Sequence, residues 1–171
     1  MDVYAYDGTE EPMCALDPLL LIPRIEYAGP IFSFVRSKNI PYSLVILDMK
    51  NFHVINDIHG YETGDEVLSK FIFSLRSRLP YQSITLRFRH GDEFLFFLPL
   101  STTEADTLFE DFRNWCESRF SVNDPHGVGF TVSFRFASLA LVHNGMEYRD
   151  LLRLAEARLR AVKGQGSLRQ T

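Results

Sequence analysis

The sequence is poor in the residues and runs that mark several common classes of protein. Its 171 residues include two cysteines, Cys14 and Cys116, which have neither metal-binding nor redox spacing. The longest apolar run near the N-terminus, residues 19–22, is too short for a signal peptide or a membrane span. There is no Walker-type Gly-Lys-Ser/Thr loop and no Ser-His-Asp arrangement. We therefore expect a cytoplasmic, soluble domain with reduced thiols, without a membrane segment.

Strong charge of either sign is missing as well. The 18 lysines and arginines against 22 aspartates and glutamates give a formal charge of −4. This offers no broad attraction for nucleic acid or an anionic membrane. What the chain does have is a hydrophobic fraction of 46% with 15 phenylalanines, enough to bury one substantial core. We expect one domain over residues 17–166, with tails at 1–16 and 167–171.

A tight turn with an apolar run on each side is the most informative stretch. Residues 84–89 alternate apolar and polar, which predicts a half-buried strand. Residues 94–98 are apolar throughout and stop at Pro99, which predicts a strand covered on both faces. The turn between them carries Asp92 and Glu93. Two carboxylates on a hairpin tip can bind a divalent cation, although a solvated acidic turn would show the same pattern.

The other patterns place helices and strands around this hairpin in a known order. The order is helix, strand–helix–strand–strand–helix–strand, helix, and the middle six elements form the ferredoxin-like βαββαβ pattern. Before the hairpin we expect a turn or a helix start at Asp17-Pro18, then a helical segment to about Arg36 that Gly29-Pro30 kinks or interrupts. A strand over 42–47 and a helix with a capping box at Thr63 and Glu66 follow. After it we expect a helix from about Thr103, one or two strands within 130–142, and a helix ending at 164–166.

This topology brings Asp48 to the hairpin tip. The second hairpin strand lies antiparallel beside the strand that ends on Asp48, so Asp48, Asp92 and Glu93 share one edge of the sheet. Three carboxylates repel each other without a counter-ion. The expected counter-ion is Mg²⁺ (or Mn²⁺), which takes one or two carboxylates together with water and phosphate oxygens.

Two stretches resemble the GGDEF domains of diguanylate cyclases. That family shows Asp-x-Asp-x-Phe-Lys-x-x-Asn-Asp, then Gly-His and Gly-Asp-x-x-Leu, then its signature turn. The matching stretches are residues 47–57 (Leu-Asp-Met-Lys-Asn-Phe-His-Val-Ile-Asn-Asp), Gly60, Gly64-Asp65, Leu68, and His90-Gly91-Asp92-Glu93-Phe94. The resemblance covers roughly residues 17–166. It implies an α+β sandwich with a ferredoxin-like βαββαβ core, similar to nucleotidyl cyclases and polymerase palms, with extra N- and C-terminal helices.

The resemblance assigns a catalytic and a metal-binding role to the edge residues. Asp48, the Met49 carbonyl and Asp92 match the family's metal ligands. Glu93 matches the acid that assists metal binding or activates the 3′-hydroxyl, so Asp92 and Glu93 are the implied catalytic pair.

Substrate-binding roles are implied in the same way. Asn56 and Asp65 match the two residues that hydrogen-bond the guanine edge, and a carboxylate suits the donor pair that adenine lacks. A turn asparagine and a first-turn helix acid are the structural alternatives for these two. Lys163 matches a lysine that meets the triphosphate. The further implied substrate-binding residues are Phe52, His53 and Gly91.

The implied reaction condenses two GTP molecules to cyclic di-GMP. Each 3′-hydroxyl attacks the α-phosphorus of the other nucleotide with Mg²⁺ assistance. Because one subunit holds one GTP, the reaction requires a two-fold homodimer. The family also implies a covalently linked or partner domain, either a sensor or an EAL-type phosphodiesterase.

Several departures from the family pattern leave two hypotheses open. Lys50 replaces the second aspartate of the first motif, His90 the first signature glycine, and Phe88 an arginine. The remaining departures are His53 for a lysine, Ser167 for a phosphate-binding arginine, and Tyr81 and Ile84 at the product-inhibition site. The first hypothesis is a weakened diguanylate cyclase. The second is a degenerate domain that binds GTP without turnover and regulates or docks to a partner.

Overall fold

A four-stranded antiparallel sheet with helices on both faces forms the fold. The computed structural model describes residues 16–38, 40–89, 91–123, 127, 129–141 and 146–167. The strand order is β2-β3-β1-β6, and β4 pairs with β5 separately. The strands are β1 (Tyr42–Met49), β2 (Ile84–Arg87), β3 (Glu93–Leu98), β4 (Ser121–Asn123), β5 (Gly129–Thr131) and β6 (Phe134–Leu141). The helices are α1 (Ala28–Arg36), α2 (Phe52–His59), α3 (Tyr61–Arg76), α4 (Thr102–Arg119) and α5 (Tyr148–Ser167).

Strand β1 is buried along its whole length and lies between two cores. Val45 and Leu47 pack in a core with α3 and α4, whereas Leu44 and Ile46 pack in a second core with α1 and α5. The first core is rich in aromatic side chains, among them Phe71, Phe94, Phe96, Phe109, Phe112 and Phe134. The apolar run of β1 therefore reflects a strand covered on both faces. The expected α+β architecture with a ferredoxin-like core is confirmed.

The register of β1 and β3 confirms the predicted shared edge. Strand β3 is antiparallel to β1, and Asp48 lies opposite Glu93. Beyond that pair, the Met49 amide donates to the Asp92 carbonyl at 3.1 Å. On the other side of β1, Asp48 lies opposite Arg135 of β6. Two acidic positions far apart in sequence thus meet at one end of the sheet.

The predicted capping box at Thr63 and Glu66 is wrong. The chain forms two helices here, and Gly60 separates them with φ +85° and ψ 160°. Thr63 lies inside α3, where its hydroxyl donates to the His59 carbonyl at 2.8 Å. Glu66 pairs with Lys70 one turn later. Glycine alone adopts the Gly60 conformation easily, so the helix begins earlier than the side-chain pattern predicts.

The first helix is shorter than predicted. Asp17 forms a turn in which its carboxylate accepts from the amides of Leu19 and Leu20 at 3.1 and 2.9 Å. A single 3₁₀ turn (Ile25–Tyr27) follows, and α1 begins only at Ala28. Pro30 therefore lies in the first turn, where its missing N–H costs nothing, so the expected kink does not arise.

The C-terminal helix is longer than predicted. Helix α5 continues through the predicted stop at residues 164–166 to Ser167. Among the described residues, no helix is long and apolar enough to cross a membrane. Cys14, His90 and all of the expected tails except Leu16 and Ser167 lie outside the described residues.

Candidate functional site

A lysine from α5 lies between the two paired carboxylates of the sheet edge. Asp48, at the end of β1, is only 8% exposed. The Lys163 ammonium is 2.6 Å from Asp48 Oδ1 and 3.4 Å from Glu93 Oε1. Arg135 approaches the other Asp48 oxygen at 3.8 Å. The carboxylates of the edge are therefore balanced by cations from α5 and β6.

The charge state of Lys163 follows from these neighbours. Burial lowers the pKa of Lys163, but the hydrogen bond and charge of Asp48, together with Glu93, outweigh it. The net pKa of Lys163 lies above its ordinary value of 10.5. Lys163 is thus a permanent positive charge at neutral pH.

The edge supplies two side-chain carboxylates, Asp48 and Glu93, for the metal that the sequence predicts. Within the described part of the chain, no three histidine, cysteine, aspartate or glutamate side chains gather closely enough to hold a metal ion. The three converging carboxylates expected from the topology are therefore not found: Asp48 and Glu93 meet around a cation, and Asp92 meets Met49 through its backbone. Two carboxylates with phosphate and water completing the shell are the usual Mg²⁺ arrangement. The metal assignment stays a prediction.

The residues matched to guanine recognition lie across α2 and α3. Asn56 on α2 packs against Gly64 of α3, the residue that precedes Asp65. A Cβ built at Gly64 would lie 1.9 Å from the Asn56 side-chain oxygen and 3.3 Å from the Phe52 ring. Phe52 is buried, whereas Asp65 is exposed and accessible to a ligand. The structure therefore brings the Asn56 carboxamide next to Gly64, which precedes Asp65. The guanine-binding roles of Asn56 and Asp65 stay predictions.

The start of α2 follows the carboxylate edge and leads to the residues matched to guanine recognition. Asn51 has a left-handed conformation (φ 55°), and α2 begins at Phe52 without a side-chain cap. Backbone amides at an uncapped helix start suit phosphate oxygens. The Lys50 amide donates to the Ser133 carbonyl at 2.8 Å, which anchors this turn to the chain before β6. Phe52 and His53 lie in this first turn of α2, and their substrate-binding roles stay predictions.

A small polar cavity adjoins Lys163 on the α5 side. It has a volume of about 160 Å³ and is lined in part by Glu93 and Glu156, with Arg89, Arg160 and Lys163 supplying positive charge. Glu156 attracts Arg89 at 3.1 Å and Arg160 at 3.9 Å. Sequence reasoning did not identify Arg160 or Glu156. Their helical spacing from Lys163 was the available signal.

The arginines that flank Phe88 serve the scaffold. Phe88 is buried in the core beneath α1 and α5. Arg87 bonds Asp17 at 2.6 Å and the Gly91 carbonyl at 2.7 Å, so it ties the N-terminal turn to the hairpin tip. Arg89 lies over the Phe88 ring and reaches Glu156. The predicted strand over residues 84–89 is too long, because β2 ends at Arg87 and strand alternation stops there.

Comparisons with known proteins agree with this architecture. The family model "Diguanylate cyclase, GGDEF domain" matches residues 32–169. The chain is 28% identical over 128 residues to the diguanylate cyclase DosC of Escherichia coli K12, covering 74% of this chain and 27% of DosC. It therefore spans about a quarter of the length of that curated relative.

Solved structures show the same fold at low sequence identity. The diguanylate cyclase SiaD of Pseudomonas aeruginosa, solved with its activator SiaC, superposes with a TM-score of 0.77 at 24% identity, over 88% of this chain and 58% of SiaD. The GGDEF domain of DgcB from Caulobacter crescentus, solved with c-di-GMP, gives a TM-score of 0.76 at 19% identity, over 92% and 95%. Taken with the match of the family model, the chain belongs to the GGDEF domain family.

Proposed function

We propose that this domain binds GTP and Mg²⁺ and condenses two GTP molecules to cyclic di-GMP at a reduced rate. The observation that carries the proposal is the Asp48–Glu93 pair of carboxylates. The pair binds the positively charged Lys163 ammonium at the edge of the sheet, close to the start of α2. Asn56 and Asp65 lie farther along the α2–α3 pair. One nucleotide laid along α2 would place its base at these residues and its phosphates at the carboxylate edge.

Each group has a distinct task in this proposal. Bound Mg²⁺ would neutralise phosphate charge and lower the pKa of the attacking 3′-hydroxyl. Asp48 and Asp92 would hold the metal, and Glu93 would assist metal binding or accept the hydroxyl proton. Lys163 and the neighbouring cavity would bind phosphate oxygens. A bond forms between the 3′-oxygen and the α-phosphorus of the second GTP, while the bond to pyrophosphate breaks.

A second copy of the chain is needed to present the second GTP, so activity depends on a two-fold dimer.

The reduced rate follows from missing phosphate contacts. Ser167 and the buried Phe88 stand where the family supplies arginines. Each charge-assisted hydrogen bond contributes roughly 1.5–3 kcal/mol, and misplacement by about 1 Å can cost roughly 100-fold in rate.

The test is calorimetric titration of a non-hydrolysable GTP analogue with and without Mg²⁺. We expect metal-dependent binding to the wild type and its loss in Asp48→Asn. Asp111→Asn, an exposed acid on α4, is the matched control and should bind normally. Incubation of the wild type with GTP and Mg²⁺ should then yield cyclic di-GMP by mass spectrometry. Intact GTP in a sample shown to be dimeric would overturn the cyclase part of the proposal.

A regulatory GTP-binding domain is the second candidate. The observation that favours it is the charge balance at Asp48, whose carboxylate is paired with Lys163 and Arg135 of the same chain. This candidate predicts GTP binding with no turnover. It also predicts that a phosphodiesterase domain linked to this one responds to GTP, and that Asn56→Ala abolishes the response. A linked activity that ignores GTP would exclude it.

A further inference from the structure

Gly64 lies in the interior of helix α3, where glycine stabilises the helix less than most other residues do. It lies in α3, is buried, and has an ordinary helical conformation. Glycine is one of the least favourable residues inside a helix, so its presence at this position calls for a local reason. Two other helical glycines differ from it: a Cβ at Gly29 would approach no atom closer than 3.4 Å, and one at Gly164 would meet nothing within 4 Å.

The local reason is the Asn56 carboxamide. A Cβ at Gly64 would lie 1.9 Å from the Asn56 side-chain oxygen, far inside van der Waals contact. Asn56 therefore lies in the space that a side chain at Gly64 would fill. Its carboxamide is held against the helix that carries Asp65.

We infer that Gly64 is a positioning residue that determines base specificity. This inference rests on the proposed function, because it concerns the guanine edge at Asn56 and Asp65. With no side chain, Gly64 lets the Asn56 carboxamide lie next to the acid. Alanine at this position turns the carboxamide away and leaves Asp65 alone to contact the base.

The effect on specificity separates from an effect on folding. The atom closest to the added methyl group is the end of a flexible side chain, so rotation of Asn56 relieves the clash. The Phe52 ring at 3.3 Å needs only a small shift. Alanine also favours the helix more than glycine does. Gly64→Ala should consequently unfold at nearly the wild-type temperature.

The experiment is a double-mutant cycle with two nucleotides. Wild type, Gly64→Ala, Asn56→Ala and the double variant are titrated with non-hydrolysable GTP and ATP analogues in the presence of Mg²⁺, with Gly29→Ala as the control. We expect Gly64→Ala to lower GTP-analogue affinity about tenfold, as for one lost hydrogen bond, with ATP-analogue affinity unchanged. In the Asn56→Ala background the same change should cost less than about twofold, because its target is gone.

A second readout does not need nucleotide. In the free ¹⁵N-labelled protein, the Asn56 side-chain amide signals should shift in Gly64→Ala and not in Gly29→Ala. Equal guanine preference in the wild type and Gly64→Ala would overturn the inference and leave the proposed function intact. So would a full additive loss in the double variant. A wild type that binds neither nucleotide overturns the proposed function, and the specificity role falls with it.

Discussion

Lys163 has two neighbours that also belong to the proposed metal site. Its ammonium contacts both Asp48 and Glu93, and Asp48 is almost completely buried. A buried carboxylate that loses its partner destabilises a fold strongly, because the charge stays desolvated. The same side chain therefore supports the fold, and in the proposed metal complex it must move away from the two carboxylates.

The first prediction concerns Lys163→Met. We expect this variant to lose about 1–3 kcal/mol of unfolding free energy in EDTA, because Asp48 and Glu93 are left facing each other. Mg²⁺ should stabilise it more than it stabilises the wild type, since a metal then takes the position of the ammonium. Urea unfolding with and without Mg²⁺ measures both effects.

The control is Lys70→Met. Lys70 pairs with Glu66 on the exposed face of α3, where an ion pair contributes little. Its unfolding free energy should change by less than about 0.5 kcal/mol. Equal stability of Lys163→Met and the wild type in EDTA would contradict the structural role of Lys163.

The second prediction concerns Cys116. Burial raises the pKa of the Cys116 thiol to about 12, and the residue is fully enclosed on the buried face of α4. Because the folded state disfavours the thiolate, stability falls as pH rises from the ordinary thiol pKa of 9.0 towards 12. In a Cys14→Ser background, Ellman's reagent at about pH 8 should react only as fast as the protein unfolds. Rapid reaction of the native protein would show that the core is open there.

At the scale of elements, Gly60 separates two helices. Its φ of +85° and ψ of 160° belong to a region that side chains with a Cβ avoid, although a Cβ there would meet no other atom. The third prediction is that Gly60→Ala costs about 1–3 kcal/mol through backbone strain alone. Denaturant unfolding measures it, with Gly29→Ala in α1 as a glycine of ordinary conformation. Wild-type stability in Gly60→Ala would mean that the α2–α3 junction has another accessible conformation.

The strands of the main sheet and their shared edge were predictable from the sequence for a physical reason, whereas α2 and β4 were not predicted. The apolar run of β1, the alternation before the hairpin and the acidic turn are local patterns, and the ferredoxin-like topology leaves one place for them. Helix ends were less predictable. Thr63 and Glu66 fit a capping box, but the same residue types also fit a helix interior, and the backbone at Gly60 decided between them.

The site was only partly predictable because its contacts join distant elements. Asp48 and Glu93 could be placed together from strand order alone. The position of Lys163 between Asp48 and Glu93 depends on how α5 packs against the sheet, and no local sequence pattern predicts that packing. Arg87 is a similar case, since its bonds to Asp17 and Gly91 depend on where β2 ends.

At the scale of the whole molecule, the central strand β1 lies between the helices on the two faces of the sheet. Because β1 contributes to both cores, neither core is complete without the other. The fourth prediction is that the domain unfolds in one transition. The single tryptophan, Trp115, stacks on Phe112 at 5.6 Å with Arg78 over its ring at 4.1 Å, so its fluorescence reports the α4 side. Circular dichroism reports all helices.

The two unfolding curves should coincide in urea. Phe109→Ala, which empties a fully buried position, should shift both curves by the same amount, about 3–5 kcal/mol. Separate midpoints for fluorescence and circular dichroism would show that the two faces of the sheet unfold independently.

The position of Lys163 between Asp48 and Glu93 also affects which mutations such a domain can accumulate during evolution. An edge whose charges are balanced internally does not need substrate or metal to fold, so mutations that weaken catalysis are not removed through instability. Folding places no demand on an exposed Asp65 or on a glycine at position 64. Under the proposed function, Asn56, Gly64 and Asp65 are therefore positions whose identity reflects nucleotide binding rather than folding.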